Sequence, residues 1–181
     1  MDKQKGFIMQ IKEPRQQLDH MLRETRIHLI SFSQMADTKA NILLSISSVL
    51  LSISLTKVSD PRYMGALVVL VGFLLITIFL ALMTVIPRVQ GFRRKKHSVH
   101  DPTYSPLYFG DYVDIPYDEY VQNLEEVMND SNRTYEIMVK EIYYSGIYLV
   151  KNKYRYIRLG YIFFFTGLIV TTLIFFIENI V

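Results

Sequence analysis

The chain has 181 residues, half of them hydrophobic, with a formal net charge of +3 and no cysteine. The missing cysteines exclude disulfides, thiol catalysis and cysteine-type zinc sites, and so small a positive charge does not by itself indicate nucleic-acid binding. Charge is absent from three windows, Ala40–Thr56, Tyr63–Pro87 and Leu159–Ile177, of 17, 25 and 19 residues; a bilayer core takes about 20 apolar residues as helix, so the pattern argues against an ordinary water-soluble globule.

In chain order, Pro14 suits a helix start. Leu18, Leu22, Thr25, Leu29, Phe32 and Ala36 then recur by fours and threes, a heptad-like seam. No Pro or Gly interrupts the run from there through Asp37-Thr38-Lys39 into the first apolar window, which predicts one long helix crossing the membrane surface. The apolar window starts too late for a cleaved secretory signal. Asp37 and Lys39 stand at the mouth of this span, where Lys39 is read as a snorkelling anchor and gating is the alternative role of the pair.

The first span is the least apolar, holding Asn41 and five serines, Ser45, Ser47, Ser48, Ser52 and Ser54. A short turn from Lys57 to Arg62, broken at Asp60-Pro61, predicts a helical hairpin with the second span. That span, Val68–Met83, is nearly all Leu, Val, Ile and Phe, each favouring insertion by about 0.3–0.6 kcal/mol at its centre. Small residues recur seven apart in every span: Ser45 and Ser52, Ser47 and Ser54, Gly65 and Gly72, Gly160 and Gly167. Two turns of helix put each pair on one face, where small side chains let backbones approach. Two readings stand: packing within one three-helix subunit, or an oligomer with serines along a wet path.

Lys and Arg flank the spans unevenly. Arg88, Arg93, Arg94, Lys95 and Lys96 follow the second, and Lys151, Lys153, Arg155 and Arg158 precede the third. The bias places the N-terminus and residues 88–158 in the cytoplasm, with the short turn and the C-terminus outside. The expected fold is an all-α membrane protein of three transmembrane helices, with long helices extending into a cytoplasmic helical region. Its parts are a cytoplasmic N-terminal helix (1–39), a transmembrane hairpin (40–87), a cytoplasmic helical and loop region (88–158) and a third transmembrane helix (159–178).

The basic run Arg93-Arg94-Lys95-Lys96 reads first as an orientation signal touching anionic lipid, at about 1 kcal/mol per residue. It leads into His97, His100, Tyr104, Tyr108, Phe109 and Tyr112, and twelve of the 13 tyrosines lie from Tyr104 onward. Cations for a phosphate and aromatic faces for a base are the parts of a nucleotide site. The candidate ligand residues are Arg94 and Lys95 for the phosphate and Tyr108 and Tyr112 for the base. Tyr154, Tyr156 and Tyr161 belong to the interfacial aromatic belt. Residues 97–115 read as irregular, with Tyr108-Phe109 and Tyr112-Val113 as brief extended pieces. Asp111, Asp114 and Asp118 surround a helix start, where carboxylates favour the dipole; an acidic hydrolase-like cluster is the weaker alternative.

From Pro116 a shorter helix turns Tyr117, Tyr120, Val121, Leu124 and Met128 to one face, and Asn129-Asp130-Ser131-Asn132 ends it and caps the next. A second seam follows: Tyr135, Met138, Ile142, Ser145, Leu149, Asn152 and Tyr156, running directly into the third span. The two seams can pair within one subunit or meet copies of themselves, and Asn152 at a seam position would help set register. No histidine pair for a metal, phosphate-binding glycine loop or nucleophile elbow occurs, so no enzyme, catalytic residue, metal or cofactor is expected.

Three segments together carry a resemblance. Ala36-Asp37-Thr38-Lys39-Ala40-Asn41 resembles the opening motif of the Pycsar effector transmembrane family; Ser105-Pro106-Leu107-Tyr108-Phe109-Gly110, followed by Tyr120, resembles its central motif; Lys153-Tyr154 ahead of the last span resembles its third. The resemblance runs from about residue 18 to 178, and departs from the family at Ser105, where Asn is common. It implies a bacterial antiphage effector of the inner membrane. A partner cyclase would make cyclic CMP or cyclic UMP on infection, and the effector would respond by impairing the membrane and halting phage spread. The alternative is a non-toxic membrane scaffold or sensor that recruits a signalling enzyme through its seams. The resemblance supplies no ligand contacts, so Arg94, Lys95, Tyr108 and Tyr112 rest on chemistry alone. Asp37, Lys39, Ser45, Ser52, Gly160 and Gly167 are the membrane packing or gating candidates. The expected partners are the lipid bilayer, further copies of the chain in a homo-oligomer, and the cyclic nucleotide; nucleic acid is not one.

Overall fold

The structure, a computed structural model, describes residues 11–86 and 104–180, and these residues form helices with no strand among them. Helix α1 (Gln16–Lys57) is 42 residues of unbroken helix, about 63 Å at 1.5 Å per residue. Its polar first half and its apolar second half thus belong to one continuous helical segment, as the missing breakers predict. The turn after it is held by Asp60. Its N–H donates to the Lys57 carbonyl at 3.1 Å, its own carbonyl accepts from Tyr63 N–H at 3.1 Å, and its Oδ1 accepts from Arg62 N–H at 3.1 Å. Pro61, which cannot donate to a helical ladder, makes the break. Helix α2 (Met64–Val85) returns.

Helix α3 (Phe109–Tyr112) is one turn, and α4 (Tyr117–Asn129) begins directly after Pro116. Asp130 separates α4 from α5 (Ser131–Tyr148): its Oδ1 accepts from the N–H groups of Asn132 at 3.0 Å and Arg133 at 3.3 Å, which supplies partners for donors that a helix start leaves open. A π-helical segment (Leu149–Tyr154) follows, and α6 (Arg155–Ile180) continues from it. Three helical runs, Gln16–Lys57, Met64–Val85 and Ser131–Glu178, are long and apolar enough to cross a membrane.

The stretch around α3 corrects an expectation. Tyr112-Val113 is not extended: Tyr112 closes the helical turn, and Val113 keeps helical angles of φ −59° and ψ −30°. Of these four residues, Tyr108 holds extended backbone, at φ −100° and ψ 115°, and Phe109 begins the helical turn. Local hydrogen bonds outweigh the β-preference of the aromatic residues here. Tyr108 N–H donates to the Ser105 carbonyl at 3.2 Å and Asp111 N–H to the Tyr108 carbonyl at 3.0 Å.

The chain divides into two compact units. The first lies within Met1–Leu29 and Arg88–Gly146. In it Leu22, Tyr104, Val127 and Tyr135 are buried. The seams contribute cross-links as well as apolar contacts: Tyr135 Oη donates to Asp19 Oδ1 at 2.5 Å, and Arg26 pairs with Glu141 at 2.9 Å. The hydrogen bond to Asp19 raises the Tyr135 pKa. Burial raises that of Glu141, with Arg26 opposing.

The second unit lies within Ile30–Pro87 and Ile147–Val181. Ala40, Leu43, Leu74, Ala81, Ile157 and Phe164 form its buried centre, drawn from all three apolar helices. Buried Ser54, Thr77 and Thr84 return their hydroxyl protons to the carbonyls of Leu50, Phe73 and Leu80, four residues back, at 2.7, 2.8 and 3.1 Å. Its outward side chains include Val68, Phe79, Phe165, Ile169 and Phe176. Large apolar groups outside suit lipid, and the small residues Ala40, Ser54, Thr77, Ala81 and Thr84 among the buried ones allow the close backbone approach that drives packing there. Phe32, placed on the first seam by its spacing, is exposed.

Candidate functional site

In the unit of apolar helices the decisive contact is ionic. Lys153 Nζ lies 2.6 Å from both carboxylate oxygens of Asp37. The lysine side chain is only 14% exposed and that of Asp37 34%. Asp37 sits between Ala36 and Ala40, both fully buried, so it stands beside the inward row of α1. Lys153 belongs to the π-helical segment; the wider turn changes the angular phase of the side chains that follow, and such segments concentrate at functional sites. Two phenols add to the tie: Tyr154 Oη donates to the Phe32 carbonyl at 3.4 Å, and Tyr161 Oη to the Lys39 carbonyl at 3.5 Å. The opening and third motifs are therefore joined by a charge pair. Lys39 itself is exposed.

The small residues divide by face. Ser45 and Ser52 are exposed and donate to the carbonyls of Asn41 and Ser48 at 2.9 and 3.0 Å. Ser47 and Ser54 are buried. Gly160 lies where a Cβ would meet Leu43 Cδ2 at 3.1 Å and Leu80 Cβ at 3.7 Å, and at Gly167 a Cβ would meet Phe73 Cβ at 2.5 Å. Both glycines thus face other helices of the same chain. The Gly65 and Gly72 pair separates: Gly65 meets the Glu178 carboxylate, while Gly72 faces open space.

The central motif forms a cluster in the other unit. Ser105 N–H donates to Asp111 Oδ2 at 3.0 Å, so Asp111 holds the motif's backbone in addition to standing at a helix start. Tyr120 Oη donates to the Pro106 carbonyl at 3.3 Å, and Pro106 is fully buried. Lys140 Nζ donates to the Tyr104 carbonyl at 3.5 Å. Tyr108 is half-buried, and its ring lies 2.6 Å from where a Gly110 Cβ would be, so a side chain at 110 would displace that ring. Tyr112 is half-buried, its ring centroid 5.1 Å from that of Tyr120. Tyr112 thus packs beside Tyr120 and Tyr108 lies over Gly110, whereas Arg94 and Lys95 lie outside the described residues. Among the described residues no group of His, Asp and Glu could hold a metal ion.

The sequence places Tyr104 among the aromatic neighbours of the basic run but does not single it out as a site residue. Tyr104 is 6% exposed, and its hydroxyl has no hydrogen-bond partner among the described residues. Burial pushes its pKa up to about 12, with Tyr120, Asp111 and Glu119 acting in the same direction. An unpaired buried hydroxyl costs about 1–3 kcal/mol. Tyr104→Phe is therefore expected to hold or raise stability, by about 1 kcal/mol, as read from thermal unfolding in detergent. The missed partnership is that of Asp37 and Lys153. Its signal is a carboxylate beside the inward alanines of a helix entering an apolar span, a position that calls for a cation.

The described residues are helical, and three of their helices are long and apolar enough to cross a membrane; two of the three motifs are tied to each other by the Asp37–Lys153 pair. Residues 20–178 match the model of the Pycsar effector protein domain. The chain belongs to this family of antiphage defence effectors. It matches no curated protein and no solved structure.

Proposed function

We propose that this chain is a non-enzymatic effector that responds to cyclic CMP or cyclic UMP from a partner cyclase and impairs the bacterial inner membrane. The observation that carries the reading is the family match over residues 20–178, and the three apolar helices supply a body able to act on a bilayer. In this reading the N-terminus and residues 88–158 are cytoplasmic, the C-terminus is periplasmic, and the working form is a homo-oligomer. Arg94 or Lys95 faces the phosphate, and Tyr108 or Tyr112 stacks on the base. A ligand acts by binding one of two states better than the other, and the Asp37–Lys153 tie is a contact whose strength sets that balance.

Charge-assisted phosphate contacts contribute about 1.5–3 kcal/mol each, so Arg94→Ala should weaken binding about ten- to a hundredfold. Tyr112→Ala, removing a stacking face, should cost about 1–3 kcal/mol. Calorimetry on detergent-purified protein with cyclic CMP, cyclic UMP and cyclic AMP measures this, alongside a membrane-potential dye in cells with and without the cyclase. Binding of one pyrimidine nucleotide with cyclase-dependent depolarisation is expected. No binding, with depolarisation indifferent to the cyclase, would overturn the reading. A protein that binds a signalling enzyme without depolarising cells would be the scaffold instead.

A further inference from the structure

The outward surface of α1 carries a polar stripe beside exposed Ile42, Ile46, Val49 and Ile53, and that stripe is the wrong polarity for lipid. Its inward row is Ala36, Ala40, Leu43, Ser47 and Ser54, all buried. Gln34, Thr38, Asn41, Ser45, Ser48 and Ser52 are all exposed and follow one another at spacings of four, three, four, three and four. At about 100° per residue this second row lies roughly 150° around the helix from the first. The stripe of α1 most nearly opposite its own subunit is therefore hydrogen-bonding, with the exposed Ile42, Ile46, Val49 and Ile53 about 100° around the helix from it. The outward side chains of α2 and α6 are mainly large and apolar, such as Leu75, Phe79, Phe165 and Leu173. From Asn41 to Ser52 the row lies within the charge-free window, about 17 Å along the axis.

We infer that two copies of this chain associate in the membrane by laying this row of α1 against the same row of the other copy. The inference rests on the proposed membrane-effector reading only in taking α1 to cross the bilayer. Thr38, Ser45 and Ser52 donate to carbonyls in their own helix and retain lone pairs for a neighbour. The Asn41 amide has no side-chain hydrogen bond among the described residues. Hydrocarbon offers it none, and intramembrane polar side chains are found facing other helices or water. The identity of the occupant follows from the row's chemistry. It carries no charge, so no charged partner is selected. Every member has both donor and acceptor capacity, so the row is complementary to itself. A second copy inserted in the same direction presents the same residues at the same depth, as a two-fold interface requires. Alternating four-three spacing is that of left-handed helix pairs, and an Asn at such a position fixes register.

The absence of native cysteine makes every single-cysteine variant a clean probe. Ser45→Cys, Ser48→Cys and Ser52→Cys are tested in native membranes under mild oxidation, with Phe79→Cys and Phe165→Cys as outward controls on the other helices. Several-fold more disulfide-linked dimer in the serine variants than in the controls is expected, with a marked loss when Asn41→Leu is added. Equal cross-linking at all five positions, or none at the serine positions, overturns the inference. Serine-position cysteines that react with a membrane-impermeant charged maleimide but do not cross-link also overturn it, since the row then faces water and not a second α1. Rapid reaction of Phe79→Cys with the same reagent would instead remove the membrane reading itself, so the two failures are distinct.

Discussion

Gly167→Leu is expected to disable the protein by forcing α2 and α6 apart. A Cβ at this position would lie 2.5 Å from Phe73 Cβ and 2.8 Å from its Cγ. Those atoms are next to the α2 backbone and cannot swing away as a side-chain tip would, so the helices themselves must move. Overpacking costs about 1–3 kcal/mol in cores that can adjust; here the whole leucine must enter the α2–α6 contact, so the effect should reach or exceed the upper end. Thermal unfolding in detergent should show a large loss, and membrane depolarisation on co-expression with the cyclase should vanish. Ser52→Leu provides the contrast, because its side chain faces outward: the subunit should unfold at the wild-type temperature. Equal destabilisation by both substitutions would contradict the packing described for Gly167.

The second large effect is expected at the charge pair. Asp37→Ala leaves the Lys153 ammonium, 14% exposed, without its two 2.6 Å contacts. Removing one partner of a buried pair costs more than the pair ever contributed, because the remaining charge stays desolvated. A fully buried pair loses about 3–5 kcal/mol; the partial exposure of Asp37 brings the expectation down to about 2–3 kcal/mol. Asp37→Leu combined with Lys153→Leu removes both charges and should recover most of that loss. Unfolding midpoints of the single and double variants form the cycle that isolates the coupling. If the double variant is as unstable as the sum of the singles, the pair is not coupled. If it folds normally yet depolarises cells without the cyclase, the pair also restrains the active state.

Much of the backbone was readable because its cues are local. The absence of Pro and Gly from residue 16 to 57, Asp60-Pro61 at the hairpin, Pro116 ahead of α4 and Asp130 ahead of α5 each act within a few residues. Features that depend on distant partners were not readable. Spacing of seven places Gly65 and Gly72 on one face, but only the fold sets Gly65 against Glu178 and leaves Gly72 with nothing near. Asp37 and Lys153 are 116 positions apart, and a π-helical segment supplies one of them, whereas a seam is counted on the ordinary helical period. The single turn of α3 was hidden by aromatic residues whose strand preference reflects packing on a sheet, and no sheet is present among the described residues. In the candidate ligand site, the pairing of Tyr112 with Tyr120 follows from a loop whose bonds run from Asp111 back to Ser105 and from Tyr120 back to Pro106, a closure with no periodic signature.

The tight Asp60 turn bears on how the protein is made. α1 leaves the ribosome before α2, yet it is the less hydrophobic of the two and carries the polar row on its outer face. Partitioning from the translocon depends on summed side-chain hydrophobicity, so α1 is the segment with the weaker claim on the bilayer and α2 the stronger. With only residues 58–63 between them, the pair can enter as one unit, α2 supplying the driving force and carrying its less hydrophobic predecessor with it. The short connection thereby lets the first span keep more polar side chains than a solitary signal-anchor could tolerate.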